Sequence, residues 1–283
     1  MGRGAHALAT LLLAWGVASC APDPANQQAR LRDKALPRVV SINPCVDAIL
    51  VQVADASQIA GISHYSQDPR ATSIPLALAR RFHATSGTAE EVVALAPDIV
   101  IAGAHVAPAT SAALKRLGIA LVTIGVPESI ADSQAQIRTV AAAVGHPQRG
   151  AALVQRIDAA VAATRPTTPE RVSALIWQGG GMVPGEGTLA SELLRVTGFE
   201  NLSASFGLTR WDVLPLEPLV ARPPDVLFSL DPSGRGDRML GHPVLKHLAE
   251  RMAVRPFPER LLHCGGPTII DATAHLARIR SAL

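Results

Sequence analysis

The stretch Thr88–Gly103, TAEEVVALAPDIVIAG, returns in diverged form as Pro215–Leu230, PLEPLVARPPDVLFSL. With Pro97-Asp98 laid over Pro224-Asp225, Glu90 falls on Glu217, Val93 on Val220, Ala94 on Ala221 and Val100 on Leu227. Each copy reads as a short amphipathic helix, a Pro-Asp turn and an apolar β-strand. Proline does not extend a helix, the residue before it is pushed out of the α region, and Asp suits the turn. The strand runs DIVIAG and DVLFSL are almost continuously apolar, as strands of a parallel sheet covered on both faces are. The duplication predicts two similar α/β lobes, each presenting one glutamate at the start of a helix. Chance recurrence of a common unit is the competing explanation, and the flanking sequence bears on the choice.

Upstream of the first copy, Pro37–Ile42 reads as a strand, Cys45–Ala54 as a helix with Val46, Ile49, Leu50 and Val53 on one face, and Gln58–Ile62 as a second strand. Downstream, Pro108–Leu117 is a helix and Ala120–Ile124 a strand, so strands and helices alternate across Pro37–Val126. That is the rhythm of a parallel βαβ sheet. Across Ser129–Thr164 it stops: SIADSQAQIRTVAAAV and PQRGAALVQRIDAAVAAT are helical in composition and period, interrupted only at Gly145-His146-Pro147. This segment reads as a helical connector between lobes. The βα rhythm resumes with a strand at Arg171–Trp177, a glycine-rich run Gln178–Gly187, and a helix over Thr188–Thr197 with Thr188 as its N-cap. Phe199–Gly207 is expected to be irregular. After the second copy come a glycine-rich loop at Asp231–Gly241, a short helix near Val244–Arg251, a last strand at Arg260–His263 and a closing helix over Thr268–Ala282.

The N-terminus, MGRGAHALATLLLAWGVASC, joins Arg3 to an apolar run, Ala7–Val17, too short for a stable membrane span. Val17-Ala18-Ser19-Cys20 resembles the lipobox of bacterial lipoproteins, which makes residues 1–19 a signal segment and Cys20 the lipid-modified first residue. Ordinary cleavage nearby, giving a soluble exported protein, is the alternative. The polar stretch that follows, to Leu36, reads as a tether. Basic residues number 26 and acidic residues 23, a formal +3 with no long block of either sign, and aromatics are 3% of the chain, so neither charge nor stacking argues for nucleic acid. Besides Cys20 there are only Cys45 and Cys264, which fit a disulfide or two free thiols.

Most reaction chemistries lack their residues. The run Gly179–Gly187 makes neither a P-loop nor G-x-G-x-x-G, and Gly61-Ile62-Ser63-His64-Tyr65 lacks the second glycine of a nucleophile elbow. No HExxH or paired-cysteine zinc pattern occurs. His64, His105 and His263 each follow an expected strand, at the edge where open α/β sheets bind ligands. Loop histidines of this kind are either solvated or converge on a transition metal.

In this order, the segments PRVVSINP, GISHYSQDP, EEVVALAPDIVIAG, WQGGG, LEPLVARPPDVLF and CGGP resemble bacterial ABC-importer substrate-binding proteins of the cobalamin, ferric-siderophore and haem class, from Pro37 to the C-terminus. The resemblance implies two Rossmann-like lobes with parallel sheets, 37–127 and 167–283, joined by a long bridging α-helix within 128–166, with the chelate held between the lobes. It implies a periplasmic, lipid-anchored monomer whose partners are an ABC permease and its ATPase, with no cofactor besides the transported metal chelate and no enzyme activity. Glu90 and Glu217 match the glutamates with which this family docks on permease arginines. Tyr65 matches a cleft tyrosine of the cobalamin-binding members, and Tyr65 or His64 could ligate haem iron. Asn43, Cys45, His105, Trp177, Trp211 and His263 complete the expected cleft, and Cys45 with Cys264 could bridge the lobes. Two rival readings are capture of bare zinc or manganese by the loop histidines and a double-Rossmann enzyme resembling metal chelatases.

Overall fold

The computed structural model describes residues 36–231, 241–243 and 251–283. The expected signal segment, Cys20, the tether, nearly all of the loop after Asp231 and the expected helix near Val244–Arg251 lie outside them, apart from a few end residues. The first lobe runs β1 (Val39–Ser41), α1 (Pro44–Val53), β2 (Ile59–Ser63), α2 (Leu76–Ala79), β3 (Ala84–Thr85), α3 (Ala89–Ala94), β4 (Ile99–Gly103), α4 (Pro108–Arg116) and β5 (Ala120–Ile124). Its strands form a parallel sheet in the order β3-β2-β1-β4-β5.

Two helices follow, α5 (Ile130–Ala143) and α6 (Pro147–Ala163). The bridge is therefore a pair and not the single long helix expected from the family resemblance. Gly145 adopts φ of 82° between them, and Pro147 opens the second helix. Glycine takes that left-handed conformation without a Cβ penalty and so allows the chain to reverse.

The second lobe runs β6 (Val172–Trp177), β7 (Met182–Val183), α7 (Leu189–Val196), β8 (Phe199–Asn201), β9 (Asp212–Val213), α8 (Leu216–Ala221), β10 (Val226–Ser229), β11 (Ala253–Pro256) and α9 (Thr268–Arg280). Its parallel sheet has the order β11-β10-β6-β8, and β7 and β9 form a separate antiparallel hairpin. The order β2-β1-β4-β5 in one lobe and β8-β6-β10-β11 in the other is the same, so the duplication extends beyond the quoted repeat to the sheets themselves.

Two expectations in this lobe need correction. Phe199–Gly207 is not irregular: β8 pairs with β6, and Leu202–Phe206 is a 3₁₀ turn. The last strand is Ala253–Pro256, and Arg260–His263 falls in and after a 3₁₀ turn at Glu259–Leu261. Proline at the end of β11 disguises the strand, but β11 is the edge of its sheet, where a missing N–H costs no ladder bond.

Burial follows the repeat closely. Val92 in α3 and Leu219 in α8 are both fully buried, while Glu90 and Glu217 are exposed. The main core is continuous through both lobes and the helical pair, from Val39 and Ile101 through Ile137 and Ile157 to Ile176 and Leu276. Within the second lobe, Phe199, Phe228 and Phe257 stack edge to face at 5.2 and 6.0 Å. Each such contact is worth about 0.5–1.5 kcal/mol beyond burial. A shared core of this kind holds the lobes together as one packed body.

Candidate functional site

In both sheets the strand order reverses beside the central pair, β1 with β4 and β6 with β10, and ligands of open α/β sheets bind beyond the carboxyl ends at such points. The loops leaving those ends carry Asn43 after β1, His105 after β4 and Gln178 after β6. A cavity of about 440 Å³ on the first-lobe side is lined by Asn43, Cys45, Tyr65 and His105, and one of about 590 Å³ on the second-lobe side by Gln178, Met182, Arg210 and Trp211. Val126, Pro127 and His263 line both, so the two are halves of one cleft. A larger groove of about 830 Å³ touches the cleft at Glu128, Gly187 and Thr188 but otherwise runs along α7 and β8. We place the site in the cleft, because only there do the carboxyl ends of both sheets converge.

The first turn of α1 organises the floor. Asn43 caps it, its Oδ1 accepting from the N–H groups of Cys45 and Val46 at 2.8 and 3.3 Å. Cys45 is disulfide-bonded to Cys264, 219 residues away, in the turn that opens α9. The bridge joins the two lobes at the bottom of the cleft. Two residues on, Asp47 is fully buried, and its Oδ2 accepts from the Ser63 N–H at 3.0 Å and the Ser66 hydroxyl at 2.6 Å. Its Oδ1 has no hydrogen-bond partner. Burial outweighs these bonds and pushes the carboxyl up to about 7. The 3₁₀ turn His64–Gln67 that Asp47 holds presents Tyr65, which is 52% exposed.

His64 does not line either cavity: its Nδ1 lies 3.2 Å from the Thr85 carbonyl, and its ring stacks on Tyr65 at 4.1 Å. Thr85 and Ser86 are in turn tied to Glu91, whose Oε2 accepts from the Ser86 N–H and both hydroxyls at 2.6–2.9 Å, holding that carboxyl below its ordinary range. Trp177 corrects the expected cleft more sharply. It is fully buried and packs with Val183, Leu214 and Leu227 in a second core beneath the β7–β9 hairpin. His263 sits at the cleft with Nε2 3.2 Å from Glu259 Oε1. Among the described residues, no group of three or more His, Cys, Asp or Glu is close enough to hold a metal ion, so His64, His105 and His263 do not converge.

Among the described residues, charge is sparse on the cleft walls: Arg210 is the one guanidinium that lines them, and it is paired with Glu128 at the start of the connector. Sequence reading missed this pair, which joins residues 82 apart. It also missed Asp47, since an acid in a first helical turn reads as a response to the helix dipole and nothing local marks it as buried.

The model of the family described as periplasmic binding protein matches residues 39–251. The chain belongs to the periplasmic binding protein family. This periplasmic binding protein is 26% identical over 217 residues to a cobalamin-binding protein of Halobacterium salinarum, covering 74% of this chain and 57% of that one. It thus spans little more than half the length of the curated relatives it matches. Among solved structures it resembles the periplasmic heme-binding protein RhuT from Roseiflexus sp. RS-1, with a TM-score of 0.68, 24% identity and coverage of 86% and 97% of the two chains. It also resembles the periplasmic vitamin B12-binding protein BtuF of Vibrio cholerae, with a TM-score of 0.66, 16% identity and coverage of 87% and 97%. At these identities the structures establish a shared two-lobe fold, and the relatives are binding proteins by name.

Proposed function

We propose that this chain is the substrate-binding component of an ABC importer, taking a metal chelate between its lobes in the periplasm and delivering it to the permease. One observation carries the reading: an open cleft at the carboxyl ends of two parallel sheets, walled by an exposed aromatic from each lobe, Tyr65 and Trp211. Such faces suit a broad, flat, largely apolar ligand. The reading assigns no catalytic step. It includes a lipid anchor at Cys20 and a monomeric state, with Glu90 and Glu217 as the permease contacts.

Among metal chelates, the charge of the walls that the described residues form favours a corrinoid such as cobalamin. A ferric siderophore or a haem carries carboxylates or catecholates that need cationic partners, and Arg210 already has Glu128. A corrinoid's amide rim needs only donors and acceptors, which Asn43, Gln136 and Gln178 offer. The second reading is haem, supported by the exposed phenol of Tyr65 stacked on His64, a pair able to present an oxygen ligand to iron.

Thermal-shift and absorbance titrations with cyanocobalamin, haemin and a panel of ferric siderophores test this. A saturable melting-temperature rise with cyanocobalamin alone is the expected outcome. A shifted Soret band lost in Tyr65→Ala would select haem instead. Stabilisation by zinc or manganese salts without any chelate effect would overturn the reading.

A further inference from the structure

The glycine-rich run after β6 makes no phosphate motif, and the cleft reading uses its Gln178 and Met182 but leaves its glycines without a role. The structure supplies one. Residues Gly185–Gly187 lie backbone to backbone against the strap that follows the 3₁₀ turn at Leu202–Phe206. Gly185 N–H donates to the Arg210 carbonyl at 2.9 Å, Glu186 N–H to Leu208 at 3.1 Å and Gly187 N–H to Thr209 at 2.8 Å. A Cβ on Gly185 would stand 2.4 Å from the Arg210 carbonyl oxygen and 2.5 Å from both its nitrogen and the Thr209 carbonyl carbon. All three atoms are backbone, so no side-chain rotation relieves the clash. One on Gly187 would meet the Thr209 oxygen at 3.0 Å. The loop is itself anchored: Asn201 Nδ2 donates to the Pro184 carbonyl at 2.9 Å and Thr188 Oγ1 to the Gly185 carbonyl at 2.8 Å.

The strap is held from its other end by the hairpin, in which Met182 pairs with Val213 and Val183 with Asp212. Leu208 and Leu214 pack downward with buried Trp177, which leaves Trp211 at the crest, 39% exposed and lining the cleft. The backbone ties of Thr209, Arg210, Asp212, Val213 and Leu214, on both sides of Trp211, thus run to the Gly181–Gly187 segment, while the Leu208 N–H also donates to the Ser203 carbonyl.

We propose that Gly185, assisted by Gly187, is a positioning residue for the cleft: by admitting the strap to backbone contact it fixes Trp211 as the aromatic wall on the second lobe. The proposal deepens the reading of the cleft as a chelate site and rests on it for the ligand, but the positioning itself is a property of the free protein.

Two measurements separate the parts. In the free protein carrying Trp15→Phe as background, acrylamide quenching of tryptophan fluorescence distinguishes exposed Trp211 from buried Trp177. Gly185→Ala should raise the quenchable fraction, and the rise should vanish in a Gly185→Ala/Trp211→Phe double variant. In titrations with cyanocobalamin and haemin, Trp211→Ala and Gly185→Ala should each weaken the chelate that wild type binds by roughly tenfold, and Trp211→Phe should largely retain it. If Gly185→Ala does not fold, Gly187→Ala, with its milder contact, should show the same two effects at smaller size. Unchanged quenching in the glycine variants would overturn the positioning role, and undiminished affinity in Trp211→Ala would overturn the wall. Failure of wild type to bind either probe would count against the chelate reading and leave the quenching result to decide the positioning.

Discussion

Asp98 and Asp225, equivalent residues of the sequence repeat, make the same contact in the two lobes. Asp98 Oδ2 accepts from the N–H of Arg38 at 2.7 Å, and Asp225 Oδ2 accepts from the N–H of Ser173 at 3.0 Å. Arg38 leads into β1 and Ser173 lies at the start of β6, so in each lobe the turn aspartate ties the start of its own strand to that of the central neighbour. The Pro-Asp dipeptide thus does more than end a helix: its carboxylate sets where the central pair begins, and hence where the cleft residues emerge at the far ends. Two lobes built alike allow two equivalent outer surfaces.

Those surfaces carry the first prediction. Glu90 and Glu217 are exposed at the second position of α3 and α8, on corresponding faces. A permease with two equivalent subunits would meet them with matched symmetry. Reversing both, Glu90→Arg with Glu217→Arg, should abolish stimulation of the reconstituted transporter's ATPase while leaving the chelate dissociation constant unchanged. Either single reversal should give an intermediate loss. Full stimulation by the double variant would remove these residues from docking.

The disulfide carries the second. Cys45 and Cys264 close a loop of 219 residues between lobes that already share a core. Chain entropy for so large a loop gives roughly 5 kcal/mol, and measured bridges usually contribute about 2–4 kcal/mol. Cys45→Ser with Cys264→Ser should therefore lower the melting temperature by roughly 5–15 °C while the shared core keeps the protein folded. Calorimetry of wild type with and without reductant should reproduce the drop. An unchanged melting temperature would mean the lobes are fixed by their core alone.

Asp47 makes stability depend on pH in a stated direction. Its carboxyl titrates at about 7 folded against an ordinary 3.8, because burial disfavours the charge. Between those values the folded chain holds the extra proton, so stability is full at low pH, falls as pH rises through the window, and levels off above about 7. Asp47→Asn keeps an acceptor for Ser63 and Ser66 without the charge. Relative to wild type, it should gain roughly 2–3 kcal/mol between pH 5 and pH 8. Parallel melting curves for the two proteins across that range would show that the carboxyl does not titrate there.

Legibility in the sequence divides along physical lines. The parallel strands β4, β5 and β6, the helix α1 and the N-cap at Thr188 were readable because periodicity and capping are local. Edge strands β8 and β11 were not: they are short, β11 alternates and ends in proline, and only the neighbouring strand makes them strands. The expected cleft divides the same way. Asn43, Tyr65 and His105 line the cavities because they follow strand ends, a local property, whereas Trp211 and His263 line them from the strap before β9 and from beyond a 3₁₀ turn. Trp177 and His64 lie just as close to strand ends, but their side chains go to the core and to Thr85, which depends on what packs above them. The pairing of Cys45 with Cys264 and the burial of Asp47 are set by contacts between distant segments.

The turn Cys264–Pro267 supplies the last prediction, since it carries the disulfide and sits beside His263. Ser133, fully buried in α5, accepts from the Gly266 N–H at 2.6 Å, tying the second lobe to the connector. Gly265 lies against the same hydroxyl: a Cβ there would stand 2.6 Å from Ser133 Oγ and 3.0 Å from Pro127 Cγ. Ser133→Ala leaves a buried N–H without its acceptor and should cost about 1–3 kcal/mol. Gly265→Ala should also destabilise, through overpacking, by about 1–3 kcal/mol. Because Ser133→Ala removes the atom nearest the new methyl, the double variant should be less damaged than the sum of the singles, by at least about 0.5 kcal/mol. Urea unfolding of all four proteins measures that coupling directly. Strict additivity would show that the turn yields elsewhere, and that the lobe is held to the connector by the core and not by this contact.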